Sequence, residues 1–119
     1  MQNLRAQLSK IALQFQIFEC LSCAAALKQF LIRQGISGKH IKLSIGSMED
    51  PFCNIYHEGL QRNISINGRH EAISTMIDVQ EIVFDNIHPE GIRKTDWLES
   101  FYCPIQDIGG SFEIIETEF

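Results

Sequence analysis

The stretch from Phe18 to Gly38 constrains this chain more than any other. It reads as a short polar entry, a cysteine, an apolar helix and a glycine stop. Leu27, Phe30 and Leu31 recur at helical spacing, and Gly35 stands where a left-handed C-terminal residue belongs, so a helix is expected from about Leu21 to Gln34. Cys20 then falls just before or at the first turn. There, unpaired backbone N–H groups and the positive end of the helix dipole favour a thiolate over a thiol. A cysteine so placed, with a histidine on a later strand, is the minimal apparatus of thiol acyl transfer.

Composition narrows the class. At 119 residues the chain is expected to form one domain, 1–119, able to bury about two thirds of its unfolded surface without metal or disulfide help. A formal net charge of −5 argues against a nucleic-acid partner, which calls for a basic patch. No apolar run reaches the roughly 18 residues a membrane span needs, and Arg5 and Lys10 lie among polar residues with no signal-peptide core. A cytoplasmic chain is expected, and export by a non-classical bacterial route leaves no such mark. Cys20, Cys23, Cys53 and Cys103 could form two disulfides, which an intracellular chain of this size does not need.

Periodicity supplies the elements. Leu4, Leu8, Ile11 and Phe15 form one stripe of an amphipathic helix over residues 3–16. Ile41, Leu43 and Ile45 alternate as a half-buried strand, followed by a polar loop from Gly46 to Pro51. Phe52–Tyr56 and Asn63–Ile66 are candidate short strands, with Asn67–Gly68 a turn signal. His70–Ile77 and Glu81–Asp85 make the best-defined hairpin, and Asn86–Lys94 reads as a loop. Thr95 is a plausible N-cap for a short helix through Phe101. Pro104–Gly110 reads as irregular, and Ser111–Thr117 closes as a strand. The layout is α+β, with N-terminal helices packed on a mostly antiparallel sheet.

The hairpin decides whether a histidine has a partner. With a two- or four-residue turn centred between Asp78 and Val79, Ala72 faces Asp85. His70 is then its diagonal neighbour on the same face, near enough for an imidazole–carboxylate bond. A three-residue turn would separate them. Asn86 must point the other way, so Asp85 is expected to hold the neutral tautomer and stabilise the imidazolium.

Three segments resemble the second group of papain-fold toxin domains of bacterial polymorphic toxin systems: Phe18-Glu-Cys-Leu-Ser-Cys-Ala, Ile66-Asn-Gly-Arg-His-Glu-Ala-Ile and Val83-Phe-Asp-Asn-Ile-His-Pro-Glu-Gly-Ile. The resemblance covers about residue 15 to Phe101, including Lys94-Thr-Asp-Trp-Leu. It implies a papain-like fold and a Cys-His-Asp or Cys-His-Asn set working as a peptidase or amidohydrolase on protein substrates. An inhibitory immunity protein is the partner it implies. Carried over, the set is Cys20 or Cys23 with His70 and Asp85. The spacing of Cys20, Ala24, Gly35, His70 and Asp85 also looks like transglutaminase-type cores, which favours Cys20. Ser22-Cys23-Ala24 resembles the serine-cysteine step of the papain helix, which keeps Cys23 open.

Other readings stand beside this one. A CxxC pair in a thioredoxin-like setting should follow a strand, and here a helix precedes it. A structural zinc site wants a second paired motif. Cys20 and Cys23 with His57 or His88 form a weak zinc reading, so no metal and no cofactor is expected. His40, His57 and His88 are read as surface or structural, and Trp97 and Leu98 as a helix anchoring on the core. Glu113, Glu116 and Glu118 are read as a solvated strand end. The oxyanion of a tetrahedral intermediate would fall to the Cys20 backbone N–H and a side-chain amide from Gln16 or Gln14. Alternatives in function are a protein-glutamine deamidase or transglutaminase, a catalytically inactive papain-like interaction module, and an immunity-type binding partner.

Overall fold

A computed structural model describes residues 3–44, 55–65, 69–102 and 112–119. The Gly46–Pro51 loop, the Asn67–Gly68 turn, Cys53, Cys103 and the Pro104–Gly110 segment lie outside the described residues.

Two helices come first. α1 (Leu4–Ala12) is capped by Asn3, whose side chain accepts from the Ala6 N–H at 2.7 Å. It ends earlier than its apolar stripe suggests, although Phe15 still packs with its core. α2 (Cys20–Arg33) opens on the cysteine itself and stops where Gly35 takes a φ of 70°. Its inner stripe of Cys23, Ala24, Leu27 and Leu31 is fully buried.

The main sheet is formed by β1 (Lys39–Ser44), β4 (Arg69–Ile77), β5 (Gln80–Phe84), β6 (Ile92–Arg93) and β8 (Glu113–Glu118), in the order β6-β5-β4-β1-β8. Every neighbouring pair is antiparallel. A second sheet pairs β3 (Arg62–Ser65), β2 (Ile55–His57) and β7 (Phe101–Tyr102) in that order. Alternation along β4 and β5 divides the interior. Ile73, Ile82 and Phe84 face α1 and α2, while Ala72 and Val83 face Ile55, Ile64, Trp97 and Phe101 on the opposite side.

Three local expectations need correction. The short helix α3 spans Lys94–Glu99 with Arg93 at its N-cap, so Thr95 is inside the first turn and caps nothing. It stops before Phe101, because the Ser100 hydroxyl donates to the Asp96 carbonyl and Phe101 pairs with His57 in β7. Part of the Asn86–Lys94 loop is strand: Ile92 and Arg93 pair with Val83 and Ile82. Gly91, at φ 86°, makes that return possible, since a Cβ there would meet Ile82 and Phe84 at 2.8 Å.

The β4–β5 turn holds only Asp78 and Val79, with Ile77 opposite Gln80 and Ser74 opposite Val83. Both turn residues have positive φ, 52° and 60°, as a type I′ turn requires. A β-branched residue is strained there, and Val79 is 93% exposed, so its side chain packs on nothing in return. Val79→Gly should therefore stabilise the fold by about 1 kcal/mol, raising the melting midpoint by about 4 °C in a thermal scan. An unchanged or lowered midpoint would show that the turn is not strained.

Candidate functional site

His70 sits near the start of β4, and Asp85 follows the last residue of β5. The two-residue turn puts them on one face, where the fully buried His70 donates from Nε2 to Asp85 Oδ2 at 2.8 Å. Pairing between β4 and β5 reaches back only to Ile73–Phe84, so the earlier residues of β4 have no β5 partner. The head of α2 reaches this part of β4. The Cys20 thiol lies beside the His70 ring and the Glu71 backbone, near enough for both to act on its ionisation, and the buried His70 Nδ1 has no hydrogen-bond partner among the described residues.

Asp85 has more partners than His70. Its Oδ1 accepts from the backbone N–H groups of Ile87 (2.9 Å) and His88 (2.5 Å) and from His88 Nδ1 (3.1 Å). Its Oδ2 accepts from Trp97 Nε1 at 2.7 Å as well as from His70. Asn86 turns away, as strand alternation demands, and donates from Nδ2 to the Gln16 carbonyl at 2.7 Å. Adjacent residues thus hold the two halves of the site: Asp85 the imidazole, Asn86 the segment leading into Cys20.

That segment is shaped by its own contacts. Phe18 has a φ of 69°, a strained state for an aromatic residue. Glu19 accepts from the Gln16 N–H at 2.6 Å and makes no side-chain cap to α2, so the first turn is uncapped from within. A cleft of about 500 Å³ opens over Cys20, walled by Phe18, Leu21, Ile64, Ser65, Arg69 and Glu71.

Electrostatics separates the two cysteines. Burial resists ionisation of Cys20, but the neighbouring His70 ring and its charge outweigh this and bring the thiol below its usual value. Cys23 is fully buried, and burial followed by the nearby Asp85 charge pushes it up to about 12. Burial also opposes the charge on His70, yet the Asp85 bond and the neighbouring Cys20 thiol raise it to about 9. Asp85 is held well below the usual carboxylate range: its bonds to His70 and His88 overcome burial. The arrangement can hold a thiolate beside an imidazolium.

Sequence reasoning placed Cys20, His70 and Asp85 in one constellation, and the structure brings them together. It missed others. Trp97 does anchor α3 in the core, but it also donates to Asp85. His88 contacts Asp85 and His57 contacts His88 at 2.9 Å, although neither had been given a role. The spacing Asp85-Asn-Ile-His88 is a usable signal, since an aspartate commonly accepts from N–H groups two and three residues on. His40 pairs with Glu71 at 2.5 Å, away from the imidazole of His70. Among the described residues there is no cluster of His, Cys, Asp and Glu able to hold a metal, and no helix is long and apolar enough to cross a membrane. Cys20 and Cys23 are free thiols.

A helix-headed cysteine, a buried histidine and its carboxylate on antiparallel strands are compatible with a papain-like fold. The family comparison agrees: the model of papain fold toxin 2 matches residues 3–102, and the chain belongs to that family. Comparison with curated proteins and with solved structures gives no match.

Linkage sets a pH test. His70 holds its proton more tightly in the folded than in the unfolded chain. The stability it contributes is complete below about pH 6.5 and is lost as pH rises through about 9. Cys20, with its lowered value, acts in the opposite sense at the upper end of that window. Cys20 itself helps to raise His70, so in a Cys20→Ala chain the unfolding free energy should still fall as pH rises from about 6.5, over a narrower window set by Asp85, and adding Asp85→Asn should flatten the slope. Urea titrations across pH measure both, and an equal slope in the two chains would contradict the pairing.

Proposed function

We propose that this chain is a cysteine-dependent amidohydrolase or peptidase acting on protein substrates, the active part of a toxin. The observation that supports it best is the buried Asp85–His70 bond with the Cys20 thiol beside the same ring. Cys20 Sγ, as thiolate, attacks a carboxamide or peptide carbonyl, and His70 delivers the proton to the leaving nitrogen. Asp85 keeps the ring aligned and offsets its charge. The Cys20 backbone N–H, in the uncapped turn of α2, faces the developing oxyanion. Gln14 donates back to the Lys10 carbonyl at 3.5 Å, so Gln16 is the better candidate for a second donor. Water then attacks the thioester with His70 as base, releasing the acid and restoring the thiol. Cys23 is too deeply buried and too weakly acidic to serve as nucleophile.

The cleft bears on substrate. Phe18 and Leu21, both largely exposed, line it together with Ser65, Arg69 and Glu71, a mixed apolar and polar wall that a stretch of polypeptide can lie along. The same apparatus would deamidate a glutamine side chain, or cross-link it if an amine replaces water, in keeping with the transglutaminase-like spacing of Cys20, Ala24, Gly35, His70 and Asp85. A neighbouring immunity protein covering this cleft is the expected partner.

Expression of the chain in bacteria should arrest growth, and Cys20→Ala or His70→Ala should each abolish the arrest, with activity down by about a thousandfold or more and the fold retained. Mass spectrometry of the host proteome reads the reaction: new peptide termini for a peptidase, glutamine-to-glutamate conversion for a deamidase. Arrest that persists in Cys20→Ala while Cys23→Ala relieves it would overturn the assignment of the nucleophile.

A further inference from the structure

His57, in β2 of the second sheet, and His88, in the loop after β5, meet at 2.9 Å between their Nε2 atoms, behind Asp85. Their hydrogen bonds admit one proton arrangement when both rings are neutral. The Leu60 N–H donates to His57 Nδ1 at 3.0 Å, so that nitrogen is the acceptor and His57 Nε2 carries the proton. His57 Nε2–H therefore donates to His88 Nε2, which leaves His88 Nδ1–H to donate to Asp85 Oδ1 at 3.1 Å. All four ring nitrogens are engaged, and a directed chain runs from the β2 turn to the carboxylate. Phe101 packs edge-on against both rings, at 5.7 and 5.9 Å between centroids, and limits their rotation.

We propose that the His57–His88 pair is a positioning unit that clamps Asp85 Oδ1, so that Oδ2 stays on His70 and the imidazole stays on Cys20. This rests on the reading of Cys20 as nucleophile and adds to it residues that never touch substrate. The backbone N–H groups of Ile87 and His88 hold the same oxygen, but they move with the loop; the ring of His88 ties that loop to the second sheet. The charged or titratable groups that act on His57 are His88, Asp85 and His70. A proton added to either ring of the pair leaves two N–H groups facing each other or displaces the Leu60 donor, so the clamp holds only while both rings are neutral.

The test reads the Cys20 thiolate directly, by its rate of alkylation with iodoacetamide from pH 5 to 9, each site resolved by mass spectrometry and the fold checked by circular dichroism. His88→Ala should slow Cys20 about tenfold at pH 6 to 7, the size of effect typical of lost outer-shell support, by moving the thiol back toward its ordinary value. An asparagine amide nitrogen falls near the place of Nδ1 and a glutamine amide nitrogen near that of Nε2. His88→Asn should therefore keep the rate within about threefold of wild type, whereas His88→Gln should behave like alanine. By the same logic His57→Gln should preserve the profile and His57→Leu should lower it. Should His88→Ala not fold, the asparagine–glutamine comparison decides. Equal rates for those two, or a His57→Leu profile superimposed on wild type, overturn the clamp while Cys20 stays hyper-reactive. If wild-type Cys20 reacts as an ordinary thiol, the nucleophile reading falls and the clamp with it.

Discussion

A carboxylate removed from water must be surrounded by donors or it takes up a proton. Asp85 meets that demand with two backbone N–H groups, two imidazoles and an indole. Three elements supply them: the loop after β5 gives the two backbone groups and the His88 ring, β4 gives His70, and α3 gives Trp97. The effective cost of burying such a charge is several kcal/mol, which only well-formed bonds can offset. The positions of β4, the loop after β5 and α3 are therefore coupled through one side chain. His70 carries its proton because Asp85 cannot.

The second sheet acquires a purpose on this view. Three short strands with so few hydrogen bonds have little stability of their own. Their contribution is to bring Ile55, Ile64 and Phe101 onto the main core and to hold His57 behind the carboxylate. Phe101 touches His57, His70, His88 and Trp97 at ring-centroid distances from 5.1 to 5.9 Å among its contacts. Apolar packing and polar alignment coincide there, so the aromatic cluster excludes water from the bonds it surrounds and strengthens them.

Legibility in the sequence followed interaction range. α2 and its glycine stop could be read because helical periodicity and capping are local. The His70–Asp85 pair could be read because hairpin register reduces to counting residues through the turn, and the turn has two. β6 could not be read: two residues after a Pro- and Gly-containing loop carry no pattern, and they are strand only because Val83 and Ile82 lie opposite. The Trp97 bond to Asp85 depends on where α3 docks, and the His57–His88 contact on β2 pairing with β7 across more than forty residues. The composition of such segments signals nothing about which polar atoms will meet.

The two cysteines of α2 make the same point about environment over identity. Three residues apart, they lie about one helical turn from each other on neighbouring faces. Cys20 is at the end that opens onto the cleft and faces an imidazole, while Cys23 is fully enclosed among Leu8, Leu27 and Phe84 in the helix-side core. The Asp85 charge reaches Cys23 directly and Cys20 only by way of His70, with opposite results. For Cys23 it arrives unscreened and repels a thiolate. For Cys20 it is converted by His70 into the attraction of an imidazolium. What separates the two thiols is thus the ring of His70, which stands between Cys20 and the carboxylate and has no counterpart beside Cys23 among the described residues.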